Sequence, residues 1–272
     1  MLRSRIHRVM PLYVFVVFIV FMLSLMKSGF VIDADPKGLL KGLVSWGVFV
    51  GSSFNGVSDS VHMTSGAHWT LRYEWLFYLS LPIVAAVVNV KWYGKYFVLS
   101  MLVMALAIPG IYVGVVVPKM ALLFFIGFSP VMIKIYFPNV VPLIQHWVCS
   151  LVVLVSVVCG MFISQQYSIV QMLVLGVPFI IIALGNDVFG GLSSRGLKAL
   201  GEVSYSLYLT HGLILYLLFS VFEVFSFEGG DVFQYIAWLP VVLALVSACS
   251  VVTFFMIEKP FIRVVSKRVP IV

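Results

Sequence analysis

The chain has 272 residues, 62% of them hydrophobic and 10% charged, with a mean hydropathy of +1.13 and a net charge of +7. A soluble core of this length cannot hide that much apolar surface, so lipid must be the solvent for most of it. The cations sit at the ends of apolar runs and form no basic face with interleaved aromatics, which argues against a nucleic-acid partner.

Arg3, Arg5 and Arg8 precede an apolar run from Pro11 to about Leu25, which ends Ser24-Leu25-Met26-Lys27. No small-x-small cleavage site follows. The run therefore reads as an uncleaved first membrane helix and not as a signal peptide. A spanning helix takes roughly 17–25 mostly apolar residues. On that measure eight spans are expected, over Met10–Met26, Trp69–Val90, Tyr96–Val117, Ala121–Phe137, Leu143–Ile163, Ser168–Gly185, Val203–Phe225 and Gln234–Met256. Prolines inside several of them are tolerated, because neighbouring helices satisfy the freed carbonyls. The fold class is all-α: a polytopic transmembrane helical bundle forming one membrane-embedded domain over residues 1–272.

Eight spans put both termini on one side. Placing that side in the cytoplasm puts 12 of the 17 cations inside: Arg3, Arg5, Arg8, Lys91, Lys95, Lys134, Arg195, Lys198, Lys259, Arg263, Lys267 and Arg268. The acidic turn Glu228–Asp231 then falls outside, and the positive-inside bias supports this frame. The long connection of residues 27–68 becomes extracytoplasmic. Its apolar middle, Gly38–Val50, either lies in the interface as an amphipathic helix or re-enters the membrane. Cys149, Cys159 and Cys249 all lie in apolar stretches and imply neither a disulfide nor a metal site.

Ionisable residues at membrane depth are costly, which makes each a candidate for function. Arg5 and Arg8 are three apart, share a helical face, and suit either a phosphorylated ligand or an anchor at lipid headgroups. In the run His68–Leu79, Glu74 and Tyr78 share a face, and Arg72 is close enough to pair with Glu74. Glu74 suits a general base or a partner for a sugar hydroxyl. The bland alternative is a structural Arg–Glu pair among belt aromatics such as Trp69. Ser204, Tyr208 and His211 fall at i, i+4 and i+7, a polar stripe expected to face the bundle interior. It reads either as a helix-bonding network or as the setting of a histidine that moves protons. Glu258 at the end of the last span reads as a cap or a partner of a nearby arginine. No nucleotide-binding loop, zinc spacing or hydrolase elbow is present.

Taken in order, these clusters resemble the acyltransferase-three family of bacterial membrane proteins. Arg5, Arg8, Pro11 and Tyr13 match its Arg-x-x-Arg with Pro-x-Tyr. Trp69–Leu79 matches Trp-Ser-Leu-x-x-Glu-x-x-Phe-Tyr-Leu, with Thr70 in place of serine. Phe124 and Gly127 match a Phe-x-x-Gly. Leu200–His211 matches Leu-Gly-x-x-Ser-Tyr-Ser-Leu-Tyr-Leu-x-His, and Glu258 with Pro260 the closing Glu-x-Pro. The resemblance implies transfer of an acyl group, commonly acetyl, from acyl-CoA to a hydroxyl of a cell-envelope glycan or lipid-linked saccharide. It implies no bound cofactor or metal, and a place in the bacterial cytoplasmic membrane. Arg5 and Arg8 would meet the coenzyme A phosphates. Glu74 and His211 would be catalytic, within a polar network of Trp69, Arg72, Tyr78, Ser204, Tyr205, Tyr208 and Glu258.

The chain departs from the family at its start. Members usually open with two further spans and an Arg-x-Asp-x-Leu-Arg-Gly-x-Ala motif followed by a membrane histidine, thought to be the base. This chain matches from the third span onward, so it is expected to be incomplete at its N-terminus and to transfer acyl groups poorly alone. His211 matches a different family position. The competing expectations are a catalytically inactive relative and a non-catalytic envelope-assembly or transport component. A transporter would call for inverted repeats or paired discontinuous helices, and none is visible.

Overall fold

The structure is a computed structural model that describes residues 2–32, 35–87, 94–224 and 232–266. Lys91, Lys267, Arg268 and the acidic turn Glu228–Asp231 lie outside the described residues. Among those described the chain is helical, with no β-strand and a single isolated bridge between Phe54 and Val57. Four helical stretches are long and apolar enough to cross a bilayer: Arg5–Lys27, Pro118–Tyr136, Arg195–Val221 and Ile236–Ile262. A bent pair, Pro138–Ile144 and Trp147–Met161, makes a fifth if its arms count as one span. Among the described residues four or five helices meet this measure, so the expected count of eight is not reached there. The expected fifth span breaks at His146, which leaves helical geometry (ψ 148°) and caps a new helix; the two arms meet at 75°. The expected third span stops at Tyr112, where Gly114 turns the chain at φ +73°.

The chain divides into two compact units, one of Met1–Tyr78 with Glu202–Val272, the other of Leu79–Gly201. In the first unit, α1 (Leu2–Lys27) is the spine. It stops in a Schellman turn, with Gly29 N–H donating to Met26 O at 3.0 Å and Phe30 N–H to Leu25 O at 2.7 Å. Gly29 takes the left-handed position (φ +67°) without cost. Next, α2 (Pro36–Gly47) starts at Asp35, whose carboxylate accepts from the N–H groups of Lys37 and Gly38, both at 3.0 Å. It stops in the same kind of turn, Phe49 N–H to Trp46 O at 3.1 Å and Val50 N–H to Ser45 O at 2.9 Å. Here the left-handed residue is Phe49, at φ +61°. That conformation costs a side-chain-bearing residue roughly 1–2 kcal/mol. Ring contacts hold it in place, with Tyr13 at 4.7 Å and Trp75 at 6.2 Å between centroids.

The long connection packs on α1 through these contacts. Its segments are spread along α1. Asp59 meets Lys27 at 3.2 Å and Ser60 meets Ser24 at 2.9 Å; Phe54 stacks on Phe21 at 4.0 Å; the end of α2 reaches Tyr13, whose hydroxyl donates to Trp46 O at 2.6 Å. From Lys27 to Tyr13 is 14 residues of helix, about 21 Å. The connection therefore runs back along α1 and packs against it. A 3-10 stretch, Ser58–Thr64, follows α1 again towards its middle, burying Met63 against Val20, Leu23 and Trp46. The next helix, α3 (His68–Val87), begins at that level, with Ala67 and Leu71 in one cluster with Val9, Leu12, Tyr13 and Val16.

Within the first unit, α9 (Arg195–Tyr216, of which Glu202 onward belongs here) runs on through a π-helical turn, Leu217–Val221. It approaches the 3-10 stretch backbone to backbone. A Cβ on Gly212 would collide with the carbonyl carbon of Thr64. The last rod is α10 (Val232–Thr253), a π turn Phe254–Glu258, and α11 (Lys259–Ser266). Pro260 has no N–H for the preceding turn, and the widened π turn absorbs the defect. Buried hydroxyls join the two rods: Thr210 Oγ1 and Ser250 Oγ lie 3.0 Å apart.

The second unit holds α4 (Gly94–Tyr112), α5 (Ala121–Tyr136), the short α6 (Val141–Ile144), α7 (Trp147–Met161) and α8 (Ile169–Ala183). At 15 residues α8 rises about 22 Å, short of the ~30 Å hydrocarbon layer. Amides clamp α7 to α8 at both ends. Gln171 Nε2 donates to Gly160 O at 3.2 Å; Asn186 Nδ2 donates to Ile144 O at 2.9 Å and its Oδ1 accepts from Ser150 at 2.9 Å. A Cβ on Gly160 would strike the Leu175 side chain, so glycine allows the close approach.

Candidate active site

At the Arg5 end of α1 the first unit gathers charged and aromatic residues from four rods. The Arg5 guanidinium carbon lies 5.2 Å from the centre of the Tyr78 ring. Tyr78 in turn donates its hydroxyl to Glu74 Oε1 at 3.0 Å. Arg8 Nε stands 3.8 Å from Glu258 Oε1, and Ser206 donates to Glu258 Oε2 at 2.8 Å. Glu258 is fully buried. Tyr205 donates to the Val9 carbonyl at 2.7 Å, fixing α9 against α1 one residue from Arg8. Arg5, Arg8, Glu74, Tyr78, Tyr205 and Glu258 thus come together, from segments nearly 200 residues apart for Tyr205 and Val9.

Arg72 goes elsewhere. Its Nη2 donates to Phe49 O at 3.0 Å and to Val50 O at 3.5 Å, so it caps the buried turn after α2. Trp69 makes an edge contact with Tyr73 at 5.7 Å.

The stripe of α9 expected to face inward is not the one that does. Ser206 and Thr210 are buried, whereas Ser204 is exposed and Tyr208 and His211 are half-buried. Ser204 and Ser206 point about 200° apart on a helix of 3.6 residues per turn. The rod turns Ser206 and Thr210 inward because these short hydroxyls meet Glu258 and Ser250, while Gly212 allows contact with the Thr64 backbone. Tyr208 still has a partner in α3, its hydroxyl lying 2.8 Å from Thr70 Oγ1.

His211 Nδ1 lies 2.7 Å from the Tyr208 carbonyl oxygen. A carbonyl only accepts, so Nδ1 carries a proton, and in the neutral ring Nε2 is the acceptor nitrogen. The ring borders a cavity of about 320 Å3 between α9 and α10, lined by Leu207, Phe219, Trp238 and Ser247 among others. His68 is the contrasting case. Its Nε2 faces Val50 O at 3.1 Å and its Nδ1 faces Thr64 Oγ1 at 3.0 Å, so both nitrogens are committed. This buried histidine pins the turn.

The profile of a family described as an acyltransferase domain, the acyltransferase-three family, matches residues 1–257. The chain belongs to the acyltransferase-three family. No curated protein and no solved structure matches it. As a member of the acyltransferase-three family with a helical membrane bundle, the chain is a membrane acyltransferase-like protein.

Sequence reading missed one contributor to this cluster, Ser206, and two contacts of the turn after α2. Ser206 sits between two residues singled out for the wrong face, and its i, i+4 spacing with Thr210 was the available signal. The role of His68 in the turn, and the hydroxyl of Tyr13, depend on partners 18 and 33 residues away. No local pattern announces them.

Proposed function

We propose that the protein transfers an acyl group, commonly acetyl, from acyl-CoA to a hydroxyl of a cell-envelope glycan or lipid-linked saccharide in the bacterial cytoplasmic membrane. The observation that carries this reading is the pair Arg5 and Arg8, set side by side at one end of a membrane span in a chain of this family. Guanidiniums suit the phosphates of coenzyme A, and the cation distribution assigns that end to the cytoplasm. His211 lies five residues beyond Ser206, about 8 Å along α9. A donor held by its phosphates at the arginines would extend its thioester arm in that direction.

His211 is the base in this reading. Its Nε2 takes the proton of the acceptor hydroxyl as the oxygen attacks the thioester carbonyl. The carbon–sulfur bond then breaks, the coenzyme A thiolate leaves, and the acyl oxygen ester remains on the acceptor. The thiolate recovers a proton from the imidazolium. Glu74, bonded to Tyr78, belongs to the arginine cluster and acts there.

Membranes carrying the protein, supplied with radiolabelled acetyl-CoA, should place label in the envelope glycan fraction. His211→Gln should lower incorporation by about 10²–10⁴-fold, the usual contribution of a positioned base. Incorporation unaffected by His211→Gln would remove His211 from the reaction. No incorporation by the unaltered protein would reject the transfer reading.

A further inference from the structure

Arg5 and Arg8 are each held by a contact that leaves hydrogen-bonding capacity unused. The contact between Arg5 and the Tyr78 ring is a cation–π contact, which consumes none of the guanidinium's five N–H donors. Tyr78 is itself tethered through its hydroxyl to Glu74. Arg8 turns its Nε towards Glu258 and keeps its two terminal nitrogens for other partners, and its side chain is 45% exposed. Glu258 is fully buried, with Oε2 tied to Ser206, while Oε1 accepts no hydrogen bond and points to Arg8. Burying a carboxylate is costly unless it is paired. The rod spends that cost at the one place where it fixes the direction of an arginine.

We propose that Tyr78 with Glu74, and Glu258 with Ser206, are positioning residues that aim the free donor edges of Arg5 and Arg8 at one diphosphate-bearing ligand. The inference rests on the reading of the two arginines as the acyl-donor site. Each positioning pair joins a carboxylate to a hydroxyl, and one member meets a guanidinium, the Tyr78 ring in the first pair and the Glu258 carboxylate in the second, without a bidentate fork. The fork geometry stays available for phosphate oxygens. The two arginines are three residues apart on α1, so their edges reach neighbouring phosphates.

The sign of the effect separates positioning from simple neutralisation. A carboxylate that only cancelled the charge of Arg8 would, once removed, leave a more cationic site and tighten anion binding. A positioning carboxylate does the opposite. The full chain in detergent micelles, titrated with acetyl-CoA by calorimetry, should bind about tenfold more weakly as Glu258→Gln, with Ser206→Ala shifting the same way by less. Tyr78→Leu should weaken binding, and Tyr78→Phe, which keeps the ring but loses the tether to Glu74, should weaken it by less. Thermal unfolding of each variant shows whether the fold is intact, and the Tyr78 pair keeps the test alive if a Glu258 variant unfolds. Tighter or unchanged binding by Glu258→Gln, together with full binding by Tyr78→Leu, would overturn the positioning role. The donor reading itself fails if the unaltered chain does not bind acetyl-CoA, or if the double Arg5→Ala, Arg8→Ala variant binds it undiminished.

Discussion

The Tyr13 hydroxyl donates to the Trp46 carbonyl at 2.6 Å, joining the middle of α1 to the end of α2. Both residues are buried. Tyr13→Phe keeps the ring contact with Phe49 and removes one donor to the Trp46 carbonyl, which still accepts from Phe49 N–H. The variant should lose about 0.5–1.5 kcal/mol of stability, the net worth of one hydrogen bond. Chemical unfolding in detergent measures it, and wild-type stability would mean that the connection does not pack against α1.

Phe49 gives the second prediction. Ordinary helix and strand positions favour alanine over glycine, but a left-handed position reverses the order. Both Phe49→Ala and Phe49→Gly lose the aromatic contacts, about 3–5 kcal/mol for a buried phenylalanine. The glycine variant should nevertheless be the more stable of the two by about 1 kcal/mol. A more stable alanine variant would show that the turn has another geometry.

At Gly212 any side chain meets the Thr64 backbone, which cannot move aside like a rotamer. Gly212→Ala should destabilise by about 3 kcal/mol or more. Gly47→Ala, where nothing lies within 4 Å, is the matched control and should be near neutral. Equal melting temperatures for the two variants would contradict the close approach of α9.

The Lys27–Asp59 contact sets a pH dependence. The hydrogen bond from Lys27, reinforced by its charge, holds the exposed Asp59 carboxyl below the usual carboxylate range. A group with a lowered folded pKa stabilises above its unfolded value, about 3.9 for aspartate, and stops doing so as pH falls through the folded one. The melting-temperature difference between wild type and Asp59→Asn should therefore be small and positive at neutral pH, shrink with added salt, and vanish under strong acid. A difference that grew on acidification would reverse the assignment.

Topology is testable independently of activity. The split of 12 inner and five outer cations favours both termini in the cytoplasm. A reporter fused after Val272 should be active in its cytoplasmic form and silent in its exported form. The opposite pattern would put the C-terminus outside and reject this frame.

What the sequence made legible follows from how local each signal is. Gly29 after the first apolar run marks a helix stop, and Asp35-Pro36 is a helix start readable in two letters. Phe49 as a helix terminator is not readable, because an aromatic residue carries no local sign of a positive φ. The candidate site divides the same way. Charge and helical spacing single out Arg5, Arg8, Glu74, Tyr78, His211 and Glu258, and the family pattern joins them. The inward face of α9 was misread because two polar stripes have similar spacing, and only the packing of Gly212 and Ser250 selects between them.

The packing of the connection along α1 also changes what trimming it would mean. A connection of this length invites shortening, tagging or replacement by a neutral spacer, on the assumption that it hangs in water. Trp46, Phe49, Phe54 and Met63 are instead part of the filling between the rods. Cutting them out would leave α1 facing a void, and would take away the seat on which the first turn of α3 rests. An epitope or a labelling cysteine placed there would report the loss of the fold before it reported which side of the bilayer it was on.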